Sequence, residues 1–125
     1  MMQFSVAPGW VLSKENLSIC KNMANLHFLM GKEILELAKA CAVSGEPMVR
    51  NLKYEFPGKG FEEIRDQFML GSNIMVAPSA HKGERSREVV FPEGKWQAND
   101  GSTITDPVKL KIEVPLDRLP WFRKI

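Results

Sequence analysis

Residues 72–96 read SNIMVAPSAHKGERSREVVFPEGKW, and this stretch decides the fold class of the chain. Short apolar runs alternate in it with Pro, Gly, Ser and charged residues, which is typical of short strands joined by turns. The same spacing continues towards the C-terminus, and it predicts strands at residues 74–77, 88–91, 95–97, 109–114 and 119–122. Asn99, Asp100 and Gly101 predict a hairpin turn, because glycine tolerates the positive φ that such turns require. The pattern indicates an antiparallel β-sandwich.

Residues 1–71 are dominated by helical periodicity instead. Apolar residues recur every three or four positions from Lys14 to about Val43, which predicts one long helix. Ser13 is its predicted N-cap and Gly45 its C-terminal cap. The apolar stripe is wider than the usual ~100°, so we expect neighbours on more than one face. Further elements are predicted around this helix, namely strands at 2–6 and 48–56 and a short amphipathic helix at 61–70.

The change of periodicity at Gly71 is the best candidate for a domain boundary, and it divides the chain into residues 1–71 and 72–125. The order strand, helix, strand in the first part indicates a parallel crossover unit. Two parallel strands with two helices would leave both sheet edges unpaired, which stable proteins avoid. We therefore expect each part to belong to a larger architecture.

Composition restricts the classes of function. The 125 residues carry a formal net charge of +2, with 26% charged and 44% hydrophobic residues, as in ordinary folded soluble proteins. A protein that tracks nucleic-acid phosphates would usually be more basic. No apolar run reaches the roughly 18–20 residues of a membrane span, and the first residues lack the basic region of a secretory signal, so the cytoplasm is the favoured location. We expect Cys20 and Cys41 to be buried reduced thiols.

The sequence offers few candidate side chains for catalysis or ligand binding. His27 and His81 lack companions at metal-ligand spacing, so we interpret them as a helix-face residue and a loop residue. Three carboxylates within one turn lie opposite an apolar face, which favours a solvated surface over an acid/base set: Glu62, Glu63 and Asp66. Three basic residues of one loop indicate a solubilising hairpin tip: Lys82, Arg85 and Arg87. Trp10, Trp96 and Trp121 could stack on sugar rings, although tryptophans near strand ends are more often core residues.

Several ordered blocks of sequence carry a resemblance to a known family. They read MMQFSVAP at 1–8, LSKENLSICKNMANLH at 12–27, GEPMVRNLKYEFP at 45–57, DQFMLGSNIMVAPSAHKGERSREVVFPEGKW at 66–96, DG at 100–101 and VPLDRLPWF at 114–122. In this order and spacing they closely resemble the C-terminal part of glycoside hydrolase family 31, the α-glucosidase and α-xylosidase family.

The resemblance implies an α/β part followed by an all-β part. Residues 1–71 would supply the last two β/α units of a (β/α)8 TIM barrel, and residues 72–125 would form an antiparallel β-sandwich segment that follows it. The comparison places the seventh barrel strand at MMQFS, the eighth at PMVRNLKYEF, the last barrel helix at DQFMLG and the first strand of the β-domain at NIMVAP. Six further barrel strands would then pair the open edges, and neighbouring helices would cover the long helix.

The resemblance also implies the chemistry. Family members hydrolyse α-linked sugars with retention, using two carboxylates about 5–5.5 Å apart. In the family both are aspartates on earlier barrel strands and neither is present here, so we assign no catalytic residue, no cofactor and no metal. The pocket lies at the C-terminal ends of the barrel strands, which makes Gln3, Ser5 and Trp10 the predicted substrate contacts. We expect Arg50 to be a buried structural charge.

The resulting hypothesis is a C-terminal fragment of a retaining α-glycosidase, inactive as this chain alone and able to self-associate through exposed barrel edges. Its partner, within a full enzyme, would be an α-linked oligosaccharide or glycoside. One departure concerns residues 7–10, which read Ala-Pro-Gly-Trp where the related subgroup usually has Ala-Pro-Trp-Arg. The alternative is a noncatalytic carbohydrate-binding or interaction module, with Trp96 and Trp121 as stacking platforms.

Overall fold

A computed structural model of the chain describes residues 13–105 and 107–125, in which a long helix lies beside a set of antiparallel strands. In chain order the elements are α1 (Lys14–Ser44), β1 (Val49–Asn51), α2 (Leu52–Glu55), β2 (Phe68–Leu70), β3 (Ile74–Val76), β4 (Ser86–Phe91), β5 (Lys95–Ala98), β6 (Thr103–Thr105), β7 (Val108–Glu113) and β8 (Trp121–Lys124). Among these residues, no helix is both long enough and apolar enough to cross a membrane.

Helix α1 confirms the predicted long helix and both of its caps. The Ser13 side chain accepts a hydrogen bond from the Asn16 amide at 3.2 Å. At the other end Gly45 adopts φ 77° and its amide donates to the Cys41 carbonyl at 2.9 Å, a conformation that glycine reaches without strain. The prediction of buried cysteines is wrong. Cys20 is exposed and Cys41 only partly buried, because α1 has no fully buried residue.

The strands form two sheets. Sheet A has the order β1-β2-β3-β8-β5-β6, and sheet B consists of β4 and β7. Every pairing between the described strands is antiparallel, which confirms the predicted antiparallel β-structure. The predicted hairpin is also present, with Gly101 at φ 86° between β5 and β6. Strand β6 itself was not predicted.

The core lies between the two sheets. Phe91 of sheet B packs edge-to-face on Phe122 of sheet A, with ring centroids 4.7 Å apart. Trp96 is 0% exposed, and its indole N–H donates to the Pro92 carbonyl at 2.9 Å. Other buried members of the same cluster are Leu52, Met69, Met75, Ala77 and Val89. The interior is therefore built from alternate side chains of both sheets, as a sandwich requires.

Residues 48–56 form a shorter strand than predicted. Only Val49–Asn51 is extended, and the helical turn α2 follows it. The Asn51 side chain favours this turn, because its oxygen accepts a hydrogen bond from the Tyr54 amide at 2.8 Å and so caps α2.

The helix predicted at residues 61–70 is absent. Residues 68–70 form β2, which pairs with β1 on one side and β3 on the other, while Phe61 and Ile64 pack against the core from an irregular segment. Their three-residue spacing mimicked a helix face, but backbone pairing on two sides outweighs so short a periodic signal.

The predicted parallel crossover is not formed by β1, which pairs antiparallel with β2. Its predicted parallel partner, residues 2–6, lies outside the described residues, and the barrel part of the expected fold is not seen within them. Strands β2 and β3 flank Gly71 and pair in sheet A. The division into two domains at Gly71 stays a prediction.

Candidate functional site

The predicted substrate contacts Gln3, Ser5 and Trp10 all lie outside the described residues, so their roles stay predictions. The same holds for the altered loop at residues 7–10. What the structure does describe is the contact between α1 and sheet A and, elsewhere in the molecule, three polar clusters around Arg87, Gln67 and Arg50.

The other candidate ligands and acids do not converge on one point. His27 is exposed on α1 and His81 is exposed in the loop before β4, where the sequence interpretation placed them. Glu62 and Glu63 are exposed as well, in agreement with a solvated surface. Across residues 13–105 and 107–125, no group of three or more His, Cys, Asp or Glu side chains is arranged to hold a metal ion.

Arg87 corrects the interpretation of the basic loop. Lys82 and Arg85 are exposed, but Arg87 lies within β4 and is only 5% exposed. Its Nη2 lies 2.5 Å from Oδ2 of Asp66, and its Nη1 donates to the Asp66 carbonyl at 3.1 Å and to the Pro78 carbonyl. The guanidinium thus ties two loops to β4, and Asp66 is its counter-ion rather than part of a purely solvated face.

A period-two pattern explains why Arg87 is buried. Arg87, Val89 and Phe91 lie on the same face of β4, since successive side chains of a strand point to opposite faces. This signal was present in the sequence, but the predicted strand began at residue 88 and left Arg87 in the loop.

Gln67 supports the neighbouring edge of β4. Its side-chain amide donates to the Val90 carbonyl and its oxygen accepts from the Val90 amide, both at 2.9 Å. Gln67 is 3% exposed. Its two hydrogen bonds therefore satisfy the backbone groups of Val90, which a neighbouring strand would otherwise pair at this edge of β4. No sequence signal identified this role.

Arg50 is a structural charge, as expected. Its Nη1 lies 2.8 Å from Glu55 and its Nε donates to the Pro47 carbonyl at 2.8 Å. The hydrogen bond to Glu55 raises the pKa of Arg50. Nearby, the Tyr54 hydroxyl donates to Glu46 at 2.5 Å, which raises the pKa of that tyrosine. The donors of this cluster are directed at protein acceptors.

The contact between α1 and sheet A brings together residues from four parts of the chain. Leu37 of α1 reaches the β2–β3 turn, where a Cβ atom added to Gly71 would lie 2.9 Å from its Cδ1. Further along the sheet, the two elements enclose an apolar groove of about 290 Å³. Its lining residues include Met23, Met30, Ile34, Ile74 and Trp121.

A bidentate ion pair crosses the same interface. Nη1 and Nη2 of Arg123 donate to the two carboxylate oxygens of Glu33 at 2.7 and 2.8 Å. This hydrogen bonding lowers the pKa of the Glu33 carboxyl and raises that of Arg123. The Arg123 guanidinium also lies 5.8 Å from the centroid of the Trp121 ring. The partners are 90 residues apart in sequence, so no local pattern could have paired them.

The opposite side of α1 has no cover among the described residues. Phe28 is 83% exposed, and Leu17 and Leu35 are exposed on the same side of the helix. The expectation of neighbours on more than one face is thus met on the sheet side alone. The rest of that expectation stays a prediction.

Trp96 and Trp121 differ from the stacking platforms of the alternative hypothesis. Trp96 is enclosed by the core and cannot present a face to a sugar, so that part of the hypothesis is wrong. Trp121 is partly buried beside Arg123.

Known proteins resemble this chain over most of its length. The myogenesis-regulating glycosidase of Mus musculus is 34% identical over 118 residues, which are 93% of this chain and 16% of that protein. The isomaltosyltransferase of Sporosarcina globispora is 32% identical over 95 residues, which are 70% of this chain and 8% of that protein. The chain therefore spans less than a fifth of the length of each of these two relatives.

Solved structures and a family model agree with these relatives. A family 31 α-xylosidase from a soil metagenome, complexed with xylose, superposes with a TM-score of 0.90 at 30% identity, covering 96% of this chain and 18% of that one. A family 31 dextranase of Flavobacterium johnsoniae shares the fold, with a TM-score of 0.89 at 23% identity over 98% of this chain and 15% of its own. Residues 45–124 match the family model described as the glycosyl hydrolase family 31 C-terminal domain, and the chain belongs to glycoside hydrolase family 31.

Proposed function

We propose that this chain is the C-terminal part of a retaining α-glycosidase and has no hydrolytic activity by itself. The observation that carries the proposal is the match of residues 45–124 to the C-terminal domain of family 31. Relatives named α-glucosidase and a related structure with bound xylose support an α-linked glucoside or xyloside as the substrate of the full enzyme.

In this proposal the reaction needs carboxylates from elsewhere in the polypeptide. Retaining hydrolysis uses one carboxylate as nucleophile and a second as acid/base, about 5–5.5 Å apart, so that a covalent glycosyl intermediate can form and be released by water. The chain would contribute substrate contacts at Gln3, Ser5 and Trp10, while its β-strands form a rigid support beside the barrel.

The exposed apolar side of α1 is an argument that another part of the full enzyme packs against it. Residues 1–71 would complete a barrel supplied by the rest of the enzyme, with Phe28 and its neighbours covered in that assembly. Apolar surface of this kind drives association when it is left in water. The isolated chain would therefore self-associate through the same surface, which sedimentation at several concentrations measures.

A hydrolysis assay tests the proposal. The purified 125-residue chain should show no turnover of 4-nitrophenyl α-glucoside or 4-nitrophenyl α-xyloside, while an intact α-xylosidase of the family serves as the positive control. The proposal would be contradicted by an activity that copurifies with the chain and releases at least one equivalent of nitrophenol per chain. Translation of the DNA upstream of Met1 is an independent check, and an open frame encoding barrel strands with paired aspartates is the expected result.

The carbohydrate-binding alternative has less support because Trp96 is enclosed in the core. Calorimetric titration with maltose or xylose oligomers separates the two hypotheses. A binding module would show heat that is lost on substitution of Trp121, whereas a part of a catalytic domain would show none.

A further inference from the structure

Helix α1 is joined to sheet A by two contacts of defined geometry. Glu33 forms the bidentate pair with Arg123 on β8, and Leu37 lies against Gly71 at the β2–β3 turn. Glu33 and Leu37 are four residues apart, so both project from the same side of the helix. One contact reaches strand β8 and the other reaches the β2–β3 turn, so α1 is held at two points of sheet A.

The apolar side chains of the interface are poorly suited to fix the helix direction. The groove of about 290 Å³ between α1 and the sheet shows that they do not fill the space. Two of them, Met23 and Met30, are flexible residues that adapt to irregular gaps. Apolar contact is non-directional, whereas an Arg–carboxylate fork has one preferred geometry.

We infer that Glu33 and Arg123 are positioning residues that set the orientation of α1 on sheet A, while the core between the sheets folds without them. The inference does not depend on the proposed function. If both hold, the pair also fixes the position of the N-cap residue Ser13 relative to sheet A, and Ser13 follows the predicted substrate contact Trp10 by three residues.

Hydrogen exchange of the 125-residue chain tests this inference. In E33Q and R123Q, amides in the middle of α1 should lose protection by about fivefold to tenfold, as expected for a partly exposed bidentate pair. Amides of β3 and β5 should be unchanged. The matched control is E36Q, since Glu36 pairs with Lys39 at 3.0 Å on the exposed surface of the same helix and should have no effect.

Two further variants separate geometry from charge. R123K keeps the charge but loses the fork, so α1 protection should remain well below that of the unaltered chain. The exchange of partners, E33R with R123E, should restore a large part of the protection.

Several results would overturn the inference. They are unchanged α1 protection in E33Q, equal loss in α1 and in β3, no recovery in the exchanged pair, or an α1 that is already unprotected in the unaltered chain. Global unfolding of E33Q would also contradict it, because the pair would then be required by the core.

Discussion

Helix α1 and the strands belong to one chain of ordinary composition, yet they are stabilised differently. Met75, Phe91 and Trp96 of the strands are wholly removed from water. In contrast, α1 extends over 31 residues without one fully buried side chain. The strands thus have a core within the described residues, while the helix relies on contacts along one side.

The difference follows from how each element distributes its apolar residues. A strand alternates between two faces, so one sheet facing another can bury half of its side chains. Helix α1 carries apolar residues around much of its circumference and needs cover on more than one side. Sheet A supplies one cover, and the described residues contain no second.

The largest contrast should come from removing one phenylalanine in each region. F91A deletes a ring that is 0% exposed and packed on Phe122, and it should lower the free energy of unfolding by about 3–5 kcal/mol. F28A removes a ring that is 83% exposed and should change it by less than about 0.5 kcal/mol. Urea denaturation followed by tryptophan fluorescence at low protein concentration measures both. Similar losses in the two variants would contradict the comparison.

A smaller effect is expected where the two regions touch. Gly71 and Gly83 have φ 61° and 83°, but only at Gly71 would a Cβ meet Leu37, at 2.9 Å. G83A should cost about 1 kcal/mol for its positive φ, and G71A about 2 kcal/mol because the Leu37 contact is added. Urea denaturation provides both values. With L37A in both backgrounds the difference should disappear, and its persistence would show that Leu37 is not the cause.

The smallest effect should appear on acidification and concern α1 alone. In the folded chain, the hydrogen bond from Arg123 holds the pKa of the Glu33 carboxyl below its ordinary value of 4.5. The contribution of this pair is therefore complete above pH 4.5 and is lost as the pH falls through the lowered pKa. At each pH, the exchange rates of the α1 amides are compared between the unaltered chain and E33Q. The two sets of rates should become equal as the pH falls. A ratio that is constant with pH would count against the pairing.

The elements predicted well were those whose signals are local. Ser13 and Gly45 identified both ends of α1, and Gly101 identified the β5–β6 hairpin, because caps and tight turns depend on a few adjacent residues. Family-specific blocks such as residues 66–96 were equally informative, and the family they indicated is the one that the chain matches.

The sequence by itself therefore determined the long helix, the antiparallel strands and the family. Tertiary structure decided that Phe68–Leu70 pairs as a strand, that Arg87 is buried against Asp66 and that Glu33 reaches Arg123. The physical reason is distance along the chain. Caps and turns are fixed by neighbours within a few residues, whereas strand pairing and buried charges depend on partners that only the folded chain brings together.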